Sequence, residues 1–286
     1  SRVSWILFPY REKQVKLISM RRLFKQTLIA AIFFSLIFGF GYGVFKVTVK
    51  PSCSDRIRNQ GEEGIDCGGP CPSCELKLLA PPIALRVIYL SNPYKNKIDL
   101  ASQVRNPNLS WGTRGFRYQF ILFDSEGNVS GRIRGETHLL PGETRWVMAF
   151  GAFAPSRVAR VEFEIEKESI EWQKLRPFSQ DVRVETRNLS FRKTLPPEVD
   201  FAELSGIVEN NSDFTLAEIT VAAVLFDQLD RILAFGQTVA RDASPNRSNQ
   251  FRIVWPTEFD GQVARWEVQP SSNLLSDLNF VQRYGI

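Results

Sequence analysis

Residues 116–124 read FRYQFILFD, and this stretch decides the fold of most of the 286-residue chain. Every second residue from Phe116 to Leu122 is apolar, while Arg117 and Gln119 between them are polar. Successive side chains of a β-strand point to opposite faces, so the pattern indicates a strand with one buried and one wet face.

The same alternation recurs on both sides of this strand. Residues 161–166 read VEFEIE, in which each apolar residue is followed by a glutamate. Asn-Pro, Asp-Ser-Glu-Gly and Pro-Gly turns separate such runs, and no amphipathic helix is predicted between Ile83 and Pro270. Short alternating strands separated by turns predict an antiparallel β-sandwich, so the fold class is mainly β.

The chain also repeats itself. Three segments recur in the same order at offsets of 104, 103 and 105 residues. The matched pairs are VRNPN at 104–108 with VENNS at 208–212, ILFD at 121–124 with VLFD at 224–227, and VARVE at 158–162 with VARWE at 263–267. Ordered matches at nearly one offset indicate a duplicated structural unit.

Two homologous Ig-like sandwiches in tandem are therefore predicted, a first at 80–175 and a second at 178–272. Each has about a hundred residues, the usual size of such a domain. The short connection at 175–178 predicts a stacked pair with limited freedom. A C-terminal extension at 273–286 follows, and its apolar residues predict a short helix that docks on its own domain.

A different kind of segment stands near the N-terminus. Thr27 to Phe45 is a run of nineteen residues without a charge. As a helix it would be about 28 Å long, close to the ~30 Å hydrocarbon core of a bilayer. A buried core helix and a cleaved signal peptide are the alternatives, but such an apolar run is longer than the usual signal-peptide core. We predict a single transmembrane helix at 27–45, preceded by a basic cytoplasmic tail at 1–26.

The four cysteines all follow this apolar run, within a glycine- and proline-rich module at 53–74. They are Cys53, Cys67, Cys71 and Cys74. A module of this size cannot bury a core, and a dense cysteine cluster is typical of an oxidising compartment. Two disulfides are predicted, and the sequence allows three pairings. A four-thiolate zinc site and a redox-active Cys71–Cys74 pair are alternatives. Basic residues flank the apolar run almost equally, so the cysteines decide the orientation: the C-terminal domains are expected to be periplasmic or extracellular.

The cysteine module resembles a known kind of segment. Its pattern is similar to the CxDxxxNxxExGxDCGGxCxxC segments of bacterial surface and membrane-anchored proteins, including those of candidate-phylum bacteria. The matching polar residues are Asp55, Asn59, Glu62 or Glu63, and Asp66. The resemblance implies an extracytoplasmic spacer. These polar residues could offer oxygen ligands to Ca²⁺, but they do not match the EF-hand loop and are expected to be solvated turn residues.

The repeated strands also resemble a family. FILFD at 120–124 resembles the signature of FxLYD-type domains, which are related to the water-stress sandwich of late-embryogenesis proteins, and AVLFD at 223–227 is a second, weaker copy. The signature residues are Phe120, Leu122, Phe123 and Asp124, and in the second copy Leu225, Phe226 and Asp227. The resemblance implies a structural role for the apolar residues. Both aspartates precede turns and are expected to accept backbone N–H bonds there, with a metal role as the alternative.

Function is predicted from these features together. The chain has one histidine, no G-x-S-x-G nucleophile motif and no phosphate-binding glycine loop, so no cofactor and no catalysis are expected. Its net charge of +5 is scattered and predicts no nucleic-acid partner. The expected role is a single-pass structural or binding subunit of a bacterial envelope or surface assembly. Its expected partners are the lipid bilayer, other envelope or surface proteins, and a second copy of itself. The alternative is an envelope hydrolase or metal-dependent enzyme acting on cell-wall polymers.

Overall fold

The computed structural model describes residues 9–48, 52–91, 96–155, 157–175, 182–193, 201–256 and 258–284. The predictions for residues 1–8 and for the connection at 176–181 lie outside these ranges. The chain divides into two compact units, residues 1–77 and residues 78–286.

The first unit begins with a helix of 40 residues, α1 (Pro9–Thr48), which contains the predicted span. Its apolar part, Phe24–Val44, has 21 residues with none of its surface buried in the protein, and by length and composition it could cross a membrane. The helix begins well before Thr27, in the segment predicted as a tail. That segment is rich in Lys, Arg, Leu and Gln, which favour helix, and a helix once nucleated extends at little cost.

The second unit contains two β-sandwiches with the same topology. The first has the strands β1 (Ile83–Ser91), β2 (Lys97–Arg105), β3 (Trp111–Phe123), β4 (Val129–Leu139), β5 (Thr144–Phe153), β6 (Arg160–Ile165) and β7 (Trp172–Lys174). One sheet has the order β1-β2-β5 and the other the order β4-β3-β6, with β7 paired to the start of β3. All pairs are antiparallel.

The second sandwich repeats the arrangement of β1 to β6 and, among the residues described, has no counterpart of β7. Its strands are β8 (Val184–Lys193), β9 (Ala202–Asn210), β10 (Leu216–Phe226), β11 (Ile232–Ala243), β12 (Ser248–Trp255) and β13 (Arg265–Ser271). The sheet orders are β8-β9-β12 and β11-β10-β13. The predicted antiparallel, mainly β architecture is confirmed, and the internal sequence repeat corresponds to a repeat of topology.

A buried asparagine anchors the same corner of each sandwich. Asn210 ends β9, is fully buried and donates from Nδ2 to the carbonyl oxygens of Phe214 and Ala243, both at 2.7 Å. Its Oδ1 accepts from the backbone N–H of Ser212 at 3.0 Å. Asn106 at the end of β2 makes the equivalent set of bonds, to two carbonyls and one backbone N–H. The matched VRN and VEN segments thus encode a side chain that ties two loops to the strand end.

The two sandwiches stack face to face through an apolar layer. In β10 the residues Ala222, Val224 and Phe226 point away from the sandwich's own core, and they pack with Trp146 and Met148 of β5. Ala101 of β2 and Phe235 of β11 join the same buried cluster. The sheet β1-β2-β5 therefore lies against the sheet β11-β10-β13, and the four sheets form four layers.

The C-terminal segment closes one end of this stack. The side chain of Gln269 in β13 bonds to the backbone of β5: its Oε1 accepts from Trp146 N at 3.2 Å and its Nε2 donates to Thr144 O. Leu275 is fully buried and approaches Gly112 so closely that a Cβ there would lie 2.9 Å from its Cδ1. The segment then forms the short helix α2 (Leu278–Tyr284), whose Phe280 enters the core of the second sandwich.

Candidate binding surfaces and the cysteine module

The four cysteines form two disulfides, Cys53–Cys71 and Cys67–Cys74. The prediction of disulfides is confirmed, and the pairing that the sequence left open is resolved. All four sulfurs are bonded to each other in pairs, so none of them is a thiolate available to zinc. Apart from a 3-10 helix at Cys74–Leu78, the module consists of turns and one isolated bridge between Gly64 and Cys67.

A buried carboxylate organises the module around these disulfides. Glu62 is only 4% exposed, and its Oε2 accepts from the backbone N–H groups of Asn59 at 3.3 Å and Asp66 at 3.1 Å. Its Oε1 lies 3.1 Å from Cys71 Sγ. The prediction of a solvated turn residue is wrong for Glu62, because its two backbone partners hold the carboxylate inside the fold in place of water.

Two further aspartates fix the turns on either side. Asp66 accepts with both carboxylate oxygens from the backbone N–H of Arg56, at 3.0 and 3.1 Å. Asp55 accepts from Ile57 N at 2.9 Å and from Asn59 Nδ2 at 2.9 Å, and these bonds lower its pKa below the ordinary value. The spacing of the module's polar residues therefore has a structural explanation, in which carboxylates accept from backbone N–H groups that no regular secondary structure satisfies.

The longer disulfide loop is expected to contribute more to the stability of the module. Cys53–Cys71 spans 18 residues and Cys67–Cys74 spans 7. Loop-closure entropy assigns about 3 kcal/mol to the first and about 2 kcal/mol to the second. We expect C53S/C71S to raise hydrogen–deuterium exchange throughout 52–78 more than C67S/C74S does. Equal exchange in both variants, or greater exchange in C67S/C74S, would contradict the assignment.

Of the apolar signature residues, Phe120, Leu122 and Leu225 lie in the sandwich cores, whereas Phe123 and Phe226 lie on the opposite face of their strands. Phe120, Leu122 and Leu225 are fully buried, and Phe226 is 2% exposed. Phe123 is half-buried beneath the guanidinium of Arg160, whose Cζ lies 4.0 Å from the ring centroid. The equivalent Phe226 has Arg265 at 3.7 Å. These contacts are structural and bring no catalytic group to the signature.

The two signature aspartates form equivalent turns. Asp124 Oδ1 accepts from the backbone N–H groups of Glu126 and Asn128, both at 2.9 Å. Asp227 Oδ1 accepts from those of Leu229 at 2.8 Å and Arg231 at 2.9 Å. The expectation that both accept backbone N–H bonds is confirmed. Each turn links the middle strand of a sheet to its neighbour, so these aspartates set the hairpin geometry.

A concave surface lies on the outer face of the sheet β4-β3-β6. It has a volume of about 720 Å³. Its charged and amide side chains are Arg117, Gln119, Arg134, Glu164, Glu166 and Lys167. Arg117 forms a bidentate pair with Glu166, at 2.7 and 2.8 Å, and Gln119 donates to Glu164 at 2.6 Å. The concavity is therefore a charged sheet surface, suited to contacts with another polar surface.

The chain's histidine belongs to a buried polar cluster at the end of the first sandwich. Arg145 is 8% exposed, and its Nη1 lies 2.6 Å from His138 Nε2. Burial and the neighbouring Arg145 lower the pKa of His138 to about 3, so the ring is neutral at physiological pH. Burial also raises the pKa of Glu143, which accepts from Leu140 N at 2.6 Å. The partner of the histidine ring is therefore a buried guanidinium.

Several of these residues were missed in the sequence. The glutamates of β6 were recognised as one solvated face, but the opposite charges of Arg132 and Arg134 on β4 were not connected with them. The signal was present, because GRIRGE at 131–136 alternates in the same way as VEFEIE. Glu143 and Arg145 carried no such signal, since their burial depends on residues distant in the sequence, such as Tyr118, rather than on a local pattern.

Comparisons with known proteins add no family to this description. No protein-family model matches the chain, and no curated protein sequence matches it.

Proposed function

We propose that this protein is a membrane-anchored, extracytoplasmic structural or binding subunit of a bacterial envelope or surface assembly. The observation that carries the proposal is the position of the two disulfides directly after an apolar helix long enough to span a bilayer. Disulfides persist in oxidising compartments, so the module and everything after it belong outside the cytoplasm. The apolar helix then anchors the chain, with its basic N-terminal end in the cytoplasm.

The stacked sandwiches support a role in protein contacts. One outer face of each sandwich is already buried against the other through an apolar layer. The faces that remain outside carry alternating charges, and the loops carry no motif for nucleotide or metal chemistry in the sequence. Sandwiches of FxLYD type that follow a crosslinked module in the chain suit the presentation of a contact surface. We propose binding rather than catalysis as the activity.

Membrane topology tests this proposal directly. The full chain is expressed in a diderm bacterial host, and spheroplasts are treated with protease from outside. We expect protease to reach residues 78–286, and the chain to stay in the membrane fraction after an alkaline carbonate wash. A maleimide reagent that adds mass is expected to modify the cysteines only after reduction. The variant with all four cysteines replaced by serine is the matched control and takes up no reagent in either state.

Two results would overturn the proposal. Sandwiches that are protected in spheroplasts and cysteines that react without reductant would place the domains in the cytoplasm. A chain released by the carbonate wash, and shortened to begin after α1, would show that the helix is a cleaved signal sequence.

A further inference from the structure

Two edge strands of the first sandwich carry opposite charges on the same face of one sheet. β3 is the middle strand of the sheet β4-β3-β6, so within the described part of the chain no strand pairs with the outer edges of β4 and β6. Arg132 and Arg134 are exposed on β4, and Glu162 and Glu164 are exposed on β6. Unpaired edges offer backbone N–H and C=O groups to another strand.

The two charged rows lie at matching heights. Ile121 of β3 is opposite Arg132 on one side and Glu162 on the other. Gln119 is opposite Arg134 and Glu164 in the same way. Arg132 and Glu162 therefore share one register position of the sheet, and Arg134 and Glu164 share another. A second copy displaced sideways within the plane of the sheet would bring its arginines beside the glutamates of the first.

The apolar sides of the same two edges match as well. Ile133 of β4 and Phe163 of β6 are both opposite Phe120, point towards the core and are only half-buried. Side chains at such an edge are covered on one side only. Pairing the two edges would cover both of them, while the charged rows pair on the solvent side.

We propose that copies of this chain associate side by side, with the β6 edge of one copy paired to the β4 edge of the next. Both strands are antiparallel to β3, so they run in the same direction and the new pair is parallel. All copies then keep one orientation, which anchoring in one bilayer requires. The shared orientation rests on the proposed function, because it assumes that every copy is anchored in the same membrane. The proposed partner is a second copy of this chain.

Charge also selects this arrangement over symmetric dimers. Pairing two β6 edges would place glutamates against glutamates, and pairing two β4 edges would place arginines against arginines. Like charges on adjacent strands destabilise a pair, so a two-fold contact is disfavoured. A head-to-tail contact leaves one free edge at each end, and the assembly grows as an open row.

The glutamates of β6 have polar partners within their own copy, whereas the arginines of β4 have no carboxylate partner among its described residues. Glu162 forms an ion pair with Arg160, and Glu164 accepts from Gln119. In the described part of the chain neither Arg132 nor Arg134 has a carboxylate within 4.0 Å. Two residues further along the strands, Glu136 of one copy would lie beside Glu166 of the next. The ion pair of Glu166 with Arg117 within its own copy reduces the repulsion between these two carboxylates. The arginine row is thus the more available half of the contact.

Charge reversal with complementation tests the proposal. The full chain is purified in detergent and reconstituted in vesicles, and association is followed by chemical crosslinking and by sedimentation in detergent. The variant R132E/R134E has two acidic edges, and E162R/E164R has two basic edges. We expect each alone to associate at least about tenfold more weakly than the wild type. Their equimolar mixture is expected to regain wild-type association, because acidic and basic edges then alternate.

An ion pair on the second sandwich, away from the proposed contact, supplies the matched control. Arg241 and Glu218 form an exposed ion pair on the second sandwich. The swap R241E/E218R keeps the net charge and is expected to leave association unchanged. A monomeric wild type, or reversed variants that associate as the wild type does, would overturn the proposal, as would a mixture without recovery. Because sedimentation does not depend on orientation in a membrane, these outcomes are distinguishable from a failed topology test.

Discussion

Replacing Asn210 with leucine is expected to lower the free energy of unfolding of the second sandwich by about 4 kcal/mol. The substitution leaves the carbonyl of Ala243 and the N–H of Ser212 without their buried partner, while the hydroxyl of Ser212 still donates to the carbonyl of Phe214 at 3.0 Å. Each such group costs about 1–3 kcal/mol when it stays buried and unpaired, and local relaxation reduces the sum. Urea unfolding of the full chain in detergent, with region-resolved hydrogen exchange, measures the loss.

The neighbouring residues supply the controls for this experiment. Ser212→Ala removes one hydroxyl from the same network and is expected to cost about 1 kcal/mol. Asn211→Leu changes a side chain outside this hydrogen-bond set and is expected to have little effect. Asn106→Leu should produce the equivalent loss in the first sandwich. A cost for Asn210→Leu no greater than that for Asn211→Leu would show that the buried amide is not an anchor.

Acid is expected to destabilise the first sandwich through His138. Its pKa of about 3 in the folded protein lies below the ~6.5 of an unfolded chain, so protonation favours the unfolded state. The loss begins as the pH falls below about 6.5 and grows by about 1.4 kcal/mol per pH unit until the folded-state pKa is reached. By pH 4 it amounts to roughly 3 kcal/mol. Urea unfolding at pH 7 and at pH 4 measures it.

The His138→Gln variant isolates this contribution. The chain has one histidine, so the difference in pH dependence between the two proteins belongs to that ring. The raised pKa of Glu143 acts in the opposite direction, because its protonation favours the folded state as the pH falls. That effect is present in both proteins and cancels in the comparison. Parallel stability curves for the wild type and the glutamine variant would exclude His138 as the titrating group.

The sequence predicted the elements of the fold because their signals are local. The alternation at FRYQFILFD and the turn aspartates each depend only on neighbouring residues, and the strands lie where these signals place them. The disulfide pairing was not predictable, since three pairings satisfy the same loop geometry. The burial of Glu62 was also hidden, because an acidic residue among glycines indicates a solvated turn unless the backbone N–H groups around it are known.

The layer between the sandwiches was hidden for a different reason. Trp146 and Met148 read as ordinary alternating residues of a strand, and Ala222 and Val224 as part of a continuous apolar run. The outer face of each of these two sheets is buried by residues from the other half of the chain, so the local sequence of one strand does not show that this face is covered. The same limit applies to His138, whose ring meets the backbone of Ser272 from the other half of the chain.

The stacking of the duplicated sandwiches is itself asymmetric. The first copy uses its β1-β2-β5 face, and the second uses the face that corresponds to β4-β3-β6. At the positions of Trp146 and Met148, which make the contact, the second copy has Gln250 and Arg252. The second copy's Ala222 corresponds to Gln119 in the first. The two copies of the repeat have thus diverged on the faces that meet, where apolar residues of one copy correspond to polar residues of the other.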